Sequence, residues 1–281
     1  MMADNRFFNL MIISDIDGTF IGPDKKMIQR NLTAVERFKA QGGLFTFSSG
    51  RSGGNVFCAV PEAAKIANAP LSLANGACLF DAVERRSLKD FFMEPESALN
   101  VAKYLRSAYS QTGLRVSDSR GFVIEPNDLV VLDNLKRVGQ AHVSALPVSQ
   151  WCADDWYKMV VVGDPELIDL VRADCAERFS EANLAYDKSE PNLLEIHRGD
   201  RNKATMLDTY RELYAAEGRE LVFCGVGDFE NDRELLEAAD ISVCPENAVD
   251  SIKKICDLCL CHHSLGVIAD LVEYLENNYR A

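Results

Sequence analysis

The chain has 281 residues, with 30 Lys and Arg against 43 Asp and Glu and a formal net charge of −13. An apolar share of 47% and a charged share of 26% are ordinary for a globular protein and exclude a disordered chain, and the length suits one large domain or two of common size. The acidic balance, with no run of Lys or Arg longer than two, speaks against nucleic acid or an anionic membrane as a partner.

No stretch approaches the roughly 18 consecutive apolar residues of a membrane span. The apolar start Phe7–Ile13 runs into Asp15 without a basic flank or a small-residue cleavage site, so a signal peptide is not expected. Nine scattered cysteines, an odd number, point to free thiols in a reducing cytoplasm. Strands and helices alternate from here on. Leu10–Ser14 reads as a buried strand, Ile28–Gln41 as a helix stopped by Gly42-Gly43, and Leu44–Phe47 as a second strand leading into Ser49-Gly50-Arg51. Pro70–Leu73 reads as a third strand, closed by the turn dipeptide Asn75-Gly76.

From about Glu84 the texture changes. Strand Leu88–Met93 precedes helix Pro95–Ser110, strands Leu114–Ser117 and Phe122–Ile124, an irregular, partly helical stretch, strand Lys158–Val162 and helix Pro165–Phe179. After Pro191 the first style returns, with helices at Lys203–Ala216, Asp232–Ala239, Ala248–Lys254 and Gly266–Asn278. Between them the strands Leu221–Cys224, Ile241–Val243 and Asp257–Cys261 are expected. The alternation favours an α/β parallel sheet built from both ends of the chain and interrupted by a middle domain.

Asp15-Ile16-Asp17-Gly18-Thr19 follows the first strand directly, where ligands collect in parallel sheets. Strand alternation puts Asp15 and Asp17 on one side, and Gly18 permits the turn that brings Thr19 round. Such close carboxylates call for a cation or a shared proton, and a carboxylate can also attack phosphorus. Ser49-Gly50-Arg51, read as opening a helix, offers a hydroxyl and amides for phosphate, and Lys203 opens another helix. Gly227-Asp228-Phe229-Glu230-Asn231-Asp232 ends a strand with hard oxygen donors suited to Mg2+, with Asp232 doubling as a helix cap.

These four pieces, in this order, resemble the motifs of the haloacid dehalogenase superfamily, in particular its Cof-type small-molecule phosphatases. The likeness covers about residues 9–82 and 190–275, with weaker matches at Asn75-Gly76-Ala77, Glu246-Asn247-Ala248 and Gly266-Val267. It implies a three-layer Rossmann-like core, residues 1–83 plus 189–281, and an inserted α+β cap of the C2 type, residues 84–188. It also implies a Mg2+-dependent phosphatase acting on a small phosphorylated metabolite, with a sugar phosphate the commonest class. The implied nucleophile is Asp15 and the implied acid–base Asp17, with Thr19, Ser49, Gly50, Lys203 and Asn231 on the phosphoryl group. Asp15, Asp17 (through its carbonyl), Asp228 and Asp232 would serve the metal, in a monomer or small homo-oligomer.

The chain departs from the family pattern at Ala204 after Lys203, at Leu235, and in Cys244-Pro245-Glu246-Asn247-Ala248. None of these removes a catalytic group. A phosphomannomutase-like mutase and a non-catalytic phosphosugar-binding regulator are the alternatives. Cys256, Cys259 and Cys261 before His262-His263 have partial zinc-ligand spacing, but no second knuckle, and are expected to pack in the last core strand. Trp151, Trp156 and Tyr157 are likewise expected in a core.

Overall fold

The computed structural model describes residues 5–138 and 142–279; residues 1–4, 139–141 and 280–281, which fall within the expected domain ranges, lie outside the described residues. Leu10–Ser14 is buried at every position, as a strand covered on both faces must be. It pairs in parallel with two neighbours: Met11 lies opposite both Phe223 and Leu44. The full sheet runs Leu258–Leu260, Ile241–Pro245, Val222–Val226, Leu10–Ser14, Leu44–Phe47. The chain therefore leaves the first strand toward one edge and later returns on its other side. In open α/β sheets that reversal opens a crevice at the carboxyl ends of the strands, and here it falls beside Ser14.

Two helices steady this region. Gln29–Ala40 and Val267–Asn278 are joined by the fully buried Asn31. Its amide donates to the Phe20 carbonyl at 2.9 Å, and its oxygen accepts the Ala269 N–H at 3.1 Å. A small sheet of Leu71–Leu73, Cys78–Asp81 and Arg86–Asp90 follows.

The second sheet has six strands in the order Leu184–Glu190, Leu193–Arg198, Trp156–Val162, Gly113–Asp118, Gly121–Ile124, His142–Ala145. Every pair is antiparallel except the last. Leu114, Val116, Met159, Val161, Leu194 and Ile196 share one core with Val101 and Leu105 of helix Pro95–Ala108 and Val171 of helix Pro165–Arg178. Trp151 and Trp156 meet edge-on in this core, and Tyr157 is buried beside it. The stretch read as irregular contains the helix Leu129–Val138, the strand His142–Ala145 and the helical turn Val148–Gln150.

The chain divides into a first unit of residues 1–50, 59–88 and 202–281 and a second of 51–58 and 89–201. The return at 189 expected from sequence thus moves to 202. Leu193–Arg198 pairs with Trp156–Val162, so the six-stranded sheet continues where the core was expected to resume. A parallel α/β core and a separate α+β unit, the expected fold class, are both present.

Candidate active site

Ser14 ends the first strand, and the Asp15 amide still donates to the Val226 carbonyl at 2.8 Å. The chain then turns: Asp17 takes φ −82° and Gly18 takes φ +84°, which glycine adopts without strain. A Cβ on Gly18 would stand 2.4 Å from an Asp228 carboxylate oxygen, so the turn also needs glycine for close approach. The loop is tied from behind by Asn247, whose amide donates to the Gly18 carbonyl at 2.8 Å and whose oxygen accepts the His263 N–H at 2.9 Å.

The Lys203 side chain is fully buried and its Nζ lies 2.6 Å from Asp15 Oδ1 and 2.5 Å from Asp232 Oδ1. Asn202 positions it, its side-chain oxygen accepting the N–H groups of Ala204 at 3.0 Å and Thr205 at 3.2 Å as a helix cap. The turn sits close against Gly76, where a Cβ would fall 2.0 Å from the Asn202 carbonyl oxygen. Asp232 does two jobs. One oxygen meets Lys203; the other accepts the Asp228 N–H at 3.0 Å and the Phe229 N–H at 3.3 Å.

One oxygen each from Asp15, Asp228 and Asp232 lies within 4.8 Å of the other two. A single buried ammonium faces these three carboxylates, leaving an excess of two negative charges. Burial, opposed by Lys203 and reinforced by Asp232 and Asp228, holds the Asp15 carboxyl well above its ordinary range. Burial and Asp232 push Asp228 up to about 6. Burial works against the Lys203 charge, but the attraction of Asp15 and Asp232 wins and raises it. That direction governs the site: Lys203 stays charged, and the uncompensated carboxylates strain toward protons. Three hard oxygens with two surplus charges fit a small divalent cation such as Mg2+.

Asp17, two residues after Asp15, is exposed while Asp15 is buried. The Thr19 hydroxyl, on the residue expected to hold a phosphoryl oxygen, donates to Asp228 Oδ1 at 2.9 Å. Ser49 is buried at the end of its strand; its N–H donates to the Ser72 carbonyl and its own carbonyl accepts from Asn75. Gly50 is half-buried in the following bend. No helix opens there, contrary to expectation; the chain turns through Ser52–Asn55 and forms only the short helix Val56–Ala59. Asn231 is half-buried in the helical turn Glu230–Asp232. Sequence reading gave no role to Asn202, although an Asn just before a helix is a capping signal, and it weighed Asn247 only as part of a weak motif.

The cysteine-rich tail differs in part from expectation. Leu258–Leu260 is an edge strand, with Cys259 exposed and Cys261 half-buried, while Cys256, also half-buried, packs against the cluster of Leu236, Cys244, Ala248 and Ile252 as expected. Among the described residues, the potential metal-ligating cluster is Asp15, Asp228 and Asp232, and none of those thiols belongs to it.

The fold is close to those of solved structures. A haloacid dehalogenase-like hydrolase from Bacteroides thetaiotaomicron superposes with a TM-score of 0.80 at 20% identity, covering 94% of this chain and 98% of that one. TM0651 from Thermotoga maritima gives 0.77 at 20% identity, covering 94% and 96%. In sequence, the 5-amino-6-(5-phospho-D-ribitylamino)uracil phosphatase YwtE of Bacillus subtilis is 22% identical, over 86% of this chain and 90% of that protein. The family model of the haloacid dehalogenase-like hydrolases matches residues 12–271, nearly the whole length, and the chain belongs to that family.

Proposed function

We propose that the protein is a Mg2+-dependent phosphatase that hydrolyses a small phosphorylated metabolite, of the sugar phosphate class, through an aspartyl-phosphate on Asp15. The observation that carries the reading is the buried Asp15 carboxylate at a strand end, 2.6 Å from Lys203 and beside Asp228 and Asp232. The similarity to a phosphatase supports it. Asp15, Asp228 and Asp232, with the Asp17 carbonyl, would hold Mg2+, which when bound supplies positive charge against the repulsion between carboxylate and phosphate.

In the first step an Asp15 oxygen forms a bond to phosphorus while the phosphorus–ester oxygen bond breaks. The departing alkoxide takes the proton of the Asp17 carboxyl, whose exposed position suits exchange with solvent. In the second step Asp17, now a carboxylate, takes a proton from water. The resulting hydroxide bonds to phosphorus, and the phosphorus–Asp15 bond breaks to release phosphate. Lys203 works against the burial that pushes the Asp15 carboxyl up and would place its positive charge near the phosphoryl oxygens, which Ser49, Gly50 and Asn231 would hold as neutral donors. Thr19, also assigned to the phosphoryl group, would in addition fix Asp228 through its hydroxyl. The setting we propose is cytoplasmic, in keeping with nine free cysteines.

Asp15→Asn should lower hydrolysis of p-nitrophenyl phosphate by at least a thousandfold, with far-UV circular dichroism unchanged. EDTA should abolish wild-type turnover and excess Mg2+ restore it. Parental rates from the Asn variant would sink the assignment. Product analysis with a hexose 1-phosphate separates hydrolysis from mutase chemistry, because only hydrolysis liberates phosphate.

A further inference from the structure

The six-stranded sheet has two unlike faces. One is packed with aliphatic side chains under the helices Pro95–Ala108 and Pro165–Arg178. On the other, register and alternation line up Arg115, Val160 and Glu195 in one row and Ser117, Lys158 and His197 in the next. Arg115, Ser117, Lys158 and His197 are each more than nine-tenths buried. Burying such groups costs free energy unless each finds a partner. Most do: Lys158 Nζ lies 2.7 Å from Glu195 Oε2, and His197 Nε2 lies 2.8 Å from Asp187 Oδ2.

Arg115 is the exception. Its Nε donates to Asn134 Oδ1 at 3.2 Å, and its guanidinium lies over the Phe122 ring, 4.8 Å from the centroid. Among the described residues no carboxylate comes within ion-pair distance of it, and its two terminal nitrogens donate to no acceptor. Glu195 and Glu190 attract the charge from farther off and Arg51 repels it, while burial pulls the guanidinium down to about 10. Buried arginines are ordinarily paired. Here a planar fork of donors is clamped at its base by Asn134 and on its face by Phe122, with its outer edge open. That edge matches an acceptor with two oxygens side by side, a carboxylate or a phosphate.

We propose that Arg115, held by Asn134 and Phe122 and flanked by Lys158 on the next strand, forms an anion-binding site in the second unit for the carboxylate or phosphate group of a small molecule. The site stands apart from the phosphatase reading, since all of its residues belong to one unit and none takes part in the chemistry proposed above.

The test is isothermal titration of the full chain with inorganic phosphate and, separately, with malonate, both in EDTA. Without metal, the three carboxylates around Lys203 repel anions, so the heat reports on the second unit. Saturable one-to-one binding of at least one anion is expected, and whichever binds more tightly identifies the group. Arg115→Met should weaken it at least tenfold, and Arg115→Lys, which keeps the charge but loses the fork, by less. Asn134→Ala, which frees the guanidinium and leaves its charge, should weaken it severalfold and serves if Arg115→Met fails to fold. No saturable binding of either anion, or unchanged affinity in a folded Arg115→Met or Asn134→Ala variant, overturns the site.

Discussion

Gly18 carries two constraints at once, a left-handed backbone and a carboxylate where a Cβ would stand. Gly18→Ala should therefore displace Asp228 as well as strain the loop. A cost of about 1–2 kcal/mol for the backbone corresponds to roughly 2–8 °C in melting temperature. Turnover should fall at least tenfold with secondary structure intact; calorimetry and a phosphate-release assay check the two effects separately. Lys203→Met tests the neighbouring ion cluster. Removing the ammonium leaves Asp15 and Asp232 buried without their partner, which costs about 3–5 kcal/mol where one side of a buried pair is deleted. Denaturant titration should show that loss even where no substrate is present. At this scale Asp15, Asp17, Asp228 and Asp232 stand out by type and by position after strands, whereas a lone Lys203 opening a helix does not, and only the family resemblance picks it out. Their partners are less legible. Nothing in the spacing of Thr19 and Asp228 says that a hydroxyl 209 positions away will bond that carboxylate.

Among the elements, the strand Leu193–Arg198 shows how a buried polar face changes stability with pH. Burial alone would raise the Glu195 carboxyl, but the charge and hydrogen bond of Lys158, helped by His197 and Arg115, lower it to about 2. The carboxyl is thus more acidic folded than unfolded, where about 4.3 is usual. The stability it contributes is complete above the unfolded value and is lost as pH falls from there toward 2. Denaturant midpoints measured between pH 7 and pH 3 should fall more steeply for the wild type than for Glu195→Gln, which should already be the weaker protein at pH 7. The same polar face explains why this end of the sheet was missed. Leu184–Glu190 is an edge strand rich in polar residues, and Glu195 and His197 interrupt the apolar run of its neighbour. The apolar strands Leu10–Ser14 and Leu44–Phe47 carried a much plainer signal because both of their faces are covered.

For the whole molecule, the division into two units makes a single unfolding free energy ill-defined, so stability is better followed through a ligand that binds one unit. Mg2+ should raise the unfolding temperature of the unit that contains Asp15, Asp228 and Asp232, because a cation bound only by the folded site stabilises it by mass action. Scanning calorimetry with increasing Mg2+ should show the shift, and Asp228→Asn should largely erase it. Sequence alternation revealed that the middle of the chain differs from its ends. It could not locate the return at 202, because which sheet a strand joins depends on a hydrogen-bonding partner far away in sequence.

That dependence bears on biosynthesis. The strand that leads to Asp15 leaves the ribosome about 210 residues before Val222–Val226, its partner on one side. At roughly 5–20 residues per second, the second strand is available within seconds, while the other edge stays bare until Val222–Val226 has been made. A nascent chain halted before residue 222 would therefore expose one long edge of Leu10–Ser14, apolar but for Ser14 and ready to pair with a stranger. Chaperone capture, and aggregation when synthesis stalls, should concentrate on that interval.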